Sequence, residues 1–139
     1  MRDLAAGLAA LLESAGLGLV RPPVPGANLF SAPMPESDGI VPVRAVAVVM
    51  TGGAKPQPYM GKEGSVYLVP SWQVRIRSAR EDFESGQQLA YDVFKALNLS
   101  ILPPCAVVRV EESSPIYLGV NGGDLHSWCF SLSIGFFDV

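Results

Sequence analysis

The sequence predicts an α+β fold: a mainly antiparallel β-sheet, two helices packed on one of its faces, and a β-hairpin closing the C-terminus. Three observations carry this expectation. Leucines recur at helical spacing near the N-terminus, and a second helical stripe follows a strand in mid-chain. Residues 125 to 137 alternate large apolar side chains with small ones, the period of a strand with one face in a core.

Leu4, Leu8, Leu11, Leu12 and Ala15 place the first helix over residues 3 to 15, and Gly16 stands where a helix end favours a left-handed residue. Residues 18 to 39 hold five prolines and little periodicity. They predict an extended connector that Leu29 and Phe30 anchor to the domain. Val43 to Met50 is nearly all apolar and valine-rich, as in a strand covered on both faces. Residues 51 to 64 carry four glycines, two prolines and two lysines, and read as a long loop.

A second strand spans residues 65 to 78. Trp72, Val74 and Ile76 alternate there with Gln73, Arg75 and Arg77, and Pro70 places a bulge or an edge early in it. Ser78-Ala79-Arg80-Glu81 has the form of a capping box. The helix behind it buries Phe83, Leu89, Ala90, Val93, Phe94 and Leu97 and ends near Asn98. Residues 105 to 111 and 116 to 121 are strand segments broken by Ser113-Ser114-Pro115, and Asn121-Gly122-Gly123-Asp124 signals a tight turn. A two-residue turn there sets Gly119 opposite His126, Ile116 opposite Cys129 and Arg109 near Phe136. It leaves Cys105 too far from Cys129 for a disulfide.

The 139 residues fit one domain, residues 1 to 139, with 49% apolar and 17% charged side chains. The apolar runs are too short to cross a bilayer, and the N-terminus lacks the pattern of a secretory signal, so the expected setting is the cytoplasm and the expected partners include no membrane. A net charge of −3 without a basic run argues against nucleic acid as a partner.

Chemistry has few footholds. His126 and Cys129, three apart on a strand, point to opposite faces and cannot form a nucleophilic pair with Asp124. One histidine and two distant cysteines make a poor metal set, so neither metal nor cofactor is expected. Gly61-Lys62 resembles the end of a phosphate loop, but Pro56 and Glu63 stand at the positions that need glycine and a hydroxyl. The expectation is a protein without catalytic residues. Arg75, Arg77 and Arg80 form either a solvated face paired locally with carboxylates or a contact surface for an acidic neighbour. Tyr59 and Met60, in the long loop, are either decoration or a docking element.

The order of residues resembles the tail-terminator or minor capsid (tail completion) proteins of long-tailed bacteriophages. The resemblance rests on Leu4 to Gly16 with Gly26-Ala27-Asn28-Leu29-Phe30 and Met34-Pro35, on Trp72 to Arg77 leading to Ala90-Tyr91-Asp92-Val93-Phe94, and on Ile116-Tyr117-Leu118-Gly119. It implies an α/β fold and a structural virion protein at the neck or top of the tail, assembled in the host cytoplasm. It also implies a ring of copies of the chain, usually a hexamer, that caps the tail tube, ends its polymerisation and meets the head connector. The implied partners are therefore the chain itself, the tail tube protein and a head-completion or connector protein. The family has no active site to carry over. Another head–tail connector or head-completion subunit is the alternative, ahead of a small ligand-binding module or an enzyme, which would need a pocket with convergent polar groups.

Overall fold

A computed structural model describes residues 4–22, 25–31, 33, 42–53, 57–58, 66–98, 100–102, 106–120 and 125–138. Two helices, α1 (Leu4–Ser14) and α2 (Phe83–Leu97), lie on one face of a sheet. Its strands are β1 (Leu29–Phe30), β2 (Ala45–Gly53), β3 (Gln57–Pro58), β4 (Val66–Leu68), β5 (Pro70–Ser78), β6 (Ile101–Leu102), β7 (Ala106–Val110), β8 (Ile116–Val120) and β9 (His126–Asp138).

β9 is the spine. One edge pairs antiparallel with β5 and then β4, and the pairing does not change register between them: Ser71 lies opposite Ser133 and Leu68 opposite Phe136. β4 and β5 thus act as one long strand interrupted at Val69, next to the proline that the sequence marks as a bulge. The other edge pairs with β8 near His126 and with β7 near Gly135. β2 lies antiparallel on the far side of β5, and β1 pairs with β2 in parallel.

The core follows from the alternation. Trp128, Phe130, Leu132, Ile134 and Phe136 of β9, Trp72, Val74 and Ile76 of β5, and Val46 and Val48 of β2 share the helix-covered face. Leu4, Leu8 and Leu12 of α1 and Leu89, Ala90, Val93 and Leu97 of α2 close over them. Burying a side chain of this size contributes roughly 1.5–3 kcal/mol. The connector is pinned as its sequence suggests: Leu29 is fully buried, and the Asn28 side chain accepts from the Val20 amide at 2.8 Å and donates to the Gly18 carbonyl at 3.2 Å.

Four expectations need correction. Ser78 does not cap α2; it is buried at the end of β5, and its hydroxyl donates to the Asp82 carbonyl at 2.8 Å. The ladder partner His126 keeps Ser78 in the sheet, so the helix starts after an intervening turn, with Asp82 at the N-cap. The 51–64 loop is also partly strand. β2 runs on to Gly53 through a bulge between Met50 and Gly52, and Gly52 and Gly53 supply the positive φ angles that a bulge there requires.

The closing ladder is the third. Ile116 does face Cys129, but Val120 rather than Gly119 faces His126, because Leu118 is an extra residue at a second bulge. Arg109 faces Ser133, not Phe136. Ser113-Ser114-Pro115 leaves the ladder, and there the Glu112 carboxylate accepts the Ser131 amide at 2.8 Å. The turn 121–124 and Cys105 lie outside the described residues. The fourth concerns β2, read as covered on both faces: it is buried only in its first half, and Met50 to Gly53 are exposed.

α2 sits very close to the sheet where it carries Gly86. A Cβ there would lie 2.7 Å from the Trp128 ring and closer still to Ser78 Cβ. Alanine gains up to ~1 kcal/mol over glycine in an open helix, while overpacking costs ~1–3 kcal/mol. We expect Gly86→Ala to lower stability by ~1–2 kcal/mol and Gly86→Val by more, measured by urea unfolding. An alanine variant with a higher midpoint than the parent would show that the helix stands further off the sheet.

Candidate functional site

The sheet face away from the helices carries small and polar side chains: Ser127, Cys129, Ser131, Ser133 and Gly135 of β9 beside Ser71, Gln73, Arg75 and Arg77 of β5. Arg75 is exposed, with its Nε donating to Gln73 Oε1 at 3.0 Å. Arg77 behaves differently. It is buried, and its guanidinium donates to the Val43 carbonyl at 2.8 Å and the Pro42 carbonyl at 2.9 Å. Burial pulls its pKa below the ordinary arginine value. Arg77 thus ties the chain entering β2 to β5, and its side chain is not on offer to a partner.

Arg80 is exposed in the turn before α2, and its carbonyl accepts from His126 Nε2 at 2.9 Å. The three arginines therefore do not form one cluster: only Arg75 presents its charge on the open face. Tyr59 and Met60 lie outside the described residues.

His126 and Cys129 fall on opposite faces, as strand geometry requires. The Arg80 carbonyl can only accept, so His126 carries its proton on Nε2, and Nδ1 accepts from the Tyr117 hydroxyl at 2.8 Å. Cys129 lies opposite Arg75 and Ile116, and burial pushes its thiol pKa up against the smaller pull of Arg75. A raised pKa means less thiolate and an inert thiol. Among the described residues, no three His, Cys, Asp or Glu side chains gather to hold a metal, and no helix is long and apolar enough to cross a membrane.

Two surfaces stand out. The first is a hollow of about 600 Å³ on the open face, lined by Tyr67, Val69, Val107, Arg109, Ser133 and Gly135. The absence of a side chain at Gly135 lets the Tyr67 ring cross β9 there. The second is the edge strand β8, which among the described residues pairs only with β9. Ile116, Tyr117, Leu118 and Val120 are each 45–47% exposed, so the strand shows apolar side chains on both its faces. No charge or proline guards its free edge, which is how edge strands usually avoid pairing with other chains.

Beside β8, the rings of Phe83, Tyr91, Tyr117 and Trp128, with Gln87 and Pro115, line a hollow of about 200 Å³. Phe83 meets Tyr117 and His126 edge-on, at ring separations of 5.4 and 5.1 Å. Chemically this patch suits contact with another protein, through strand addition along β8 and side chains inserted among the rings. The sequence contained the signal in Ile116 to Val120, five residues without a charge, but nothing in it shows that β8 is an outer strand.

No protein-family model matches the chain, and no curated protein matches its sequence.

Arg75 and Arg77 should separate cleanly on substitution. Arg77→Ala empties the buried guanidinium site and strands two partly buried carbonyls, and should cost ~2–4 kcal/mol. Arg75→Glu should change stability by less than ~0.5 kcal/mol. Chemical denaturation of both variants checks this, and equal losses would contradict the different burial of the two side chains. In the folded protein, alkylation at Cys129 should run at least ~100-fold slower than in urea, read by peptide mass spectrometry. Equal rates would show an accessible thiolate.

Proposed function

We propose that this chain is a self-assembling structural subunit, and that its assembly is the ring that caps the tail tube of a long-tailed bacteriophage. The observation that carries the assembly reading is β8: an edge strand without charged side chains, with four exposed apolar side chains beside an aromatic hollow. Soluble monomers rarely keep contiguous apolar surface of this kind, and such patches mark contact sites.

The tail-terminator assignment rests on the residue order from Leu4 through Gly119, and the observed sequence of helix, long strand pair, helix and closing strands is compatible with it. A cap must match the end of a tube on one face and fail to match a further tube subunit on the other. A contact between unlike surfaces of successive copies closes such a ring. Weak contacts between free copies suffice, because a symmetric tube end raises their effective concentration. A head-completion subunit of the same build is the second reading, and it differs in which polymer end it meets.

Removing the protein separates the two. Without a cap the tube grows past its normal length, and electron microscopy of the assembly products measures this directly. Tails of normal length lying beside full heads would assign the protein to head completion instead. Leu118→Lys with Val120→Lys adds charge to an exposed edge and should leave the unfolding midpoint within ~0.5 kcal/mol of the parent. The same pair should abolish capping. Normal capping by this folded variant would remove β8 from the assembly surface.

A further inference from the structure

Resting on the assembly reading above, we propose that the aromatic hollow beside β8 receives the 54–65 segment of a second copy of this chain. Three carboxylates flank Phe83, one of the hollow's rings, along the chain. Glu81 and Asp82, just before α2, and Glu84 in its first turn are exposed, and none forms an ion pair with a described residue. Arg80 offsets one of the three, which leaves two net negative charges beside Phe83.

The occupant should therefore be basic, with flat or flexible apolar groups to lie among rings. Residues 54–65 read Ala-Lys-Pro-Gln-Pro-Tyr-Met-Gly-Lys-Glu-Gly-Ser: two lysines against one glutamate, with Tyr59, Met60 and two prolines. Tyrosine and methionine are enriched where proteins meet, and a lysine over an aromatic face gains a further attraction.

Geometry forbids this contact within one copy. The segment leaves the sheet at β3 and returns at β4, where Pro58 pairs with Val66 and Val66 with Asp138, the last residue of β9. The hollow lies at the other end of β9, around Trp128, and β8 pairs there with His126 to Cys129. Twelve residues of strand from His126 to Asp138 span roughly 40 Å at ~3.3 Å each. Seven residues tethered at both ends, as 59–65 are by β3 and β4, can reach no more than about 12 Å beyond those strands. The two complementary surfaces sit at opposite ends of one strand, so they meet only between copies. A contact of this kind is head-to-tail, which builds a ring when its rotation closes.

Charge reversal and crosslinking test it together on the full chain. The variant Glu81→Lys/Glu84→Lys and the variant Lys55→Glu/Lys62→Glu should each associate at least ~10-fold more weakly than the parent at low salt. An equal mixture should recover association, because each copy then meets a partner of opposite sign. Circular dichroism confirms that both are folded. A photoreactive phenylalanine analogue in place of Tyr59 should crosslink to the Phe83, Tyr91 or Tyr117 peptides of another copy, identified by mixing heavy- and light-labelled protein. Rings that form but crosslink elsewhere, or a mixture no stronger than its parts, would overturn this contact and leave the ring standing. Crosslinks from assembled tails to the tube protein would replace the second copy as occupant. A protein that forms no ring either free or on tails would overturn both readings.

Discussion

Everything in this molecule hangs on β9. Its alternation places Trp128, Phe130, Leu132, Ile134 and Phe136 under the helices, and its two edges hold β5 with β4 on one side and β8 with β7 on the other. A shift of one residue would turn all five large side chains toward the open face and bring serines into the core. Five such burials at roughly 1.5–3 kcal/mol each are comparable to the whole net stability of an ordinary domain, so the register is not negotiable. The irregularities gather in its partner strands: the bulge at Leu118, the departure of residues 113–115 and the interruption at Val69.

The length of β9 also separates the ends of the molecule. Helices cover its middle through α2, whose close approach at Gly86 presses the helix onto Ser78 and Trp128. At one end β3 and β4 form a narrow extension, with the exposed second half of β2 leading into it. At the other end the aromatic side chains around His126 reach the surface. Arg77 closes the sheet near that second end by holding the carbonyls of Pro42 and Val43, so one of the two arginines on the polar side of β5 stabilises the fold and the other remains exposed.

How far the sequence was legible depends on the range of the interaction involved. α1, α2 and β9 follow from local periodicity, and the apolar stripes named for them are buried or half-buried except at their ends, where Ala15, beyond the last residue of α1, and Phe83, the first of α2, are exposed. Leu29 as an anchor was legible because one leucine stood in a proline-rich run. The errors all involve competition from a distant partner. Ser78 matches a capping box, yet the ladder opposite His126 claims it first. Arg77 alternates like a surface residue, but a chain segment more than thirty residues away supplies carbonyls that bury it. The register of the closing hairpin was right at Ile116 and wrong at Gly119, because a bulge of one residue leaves no mark in composition. The aromatic hollow was the least legible feature, since α2, β8 and β9 each contribute a ring to it.

The edges of the sheet at β2 and at β9 are not treated alike. β1 covers the outer side of β2 opposite the buried residues Val46 and Ala47. Among the described residues β8 has no such cover, and it carries no charged side chain. A bulge at Leu118 bends the strand and takes one residue out of the ladder, which hinders indiscriminate pairing with another flat edge. What remains attractive is the combination of a bent apolar edge, a hollow among rings and the carboxylates that flank Phe83 along the chain. Few surfaces match all three at once. A contact with these requirements has few wrong partners, and in the assembly proposed above satisfying it on one copy leaves a fresh site open on the next. Growth by the proposed contact would stop only when the last copy meets the first, so the angle between the two ends of β9 in successive copies would set the size of such a ring.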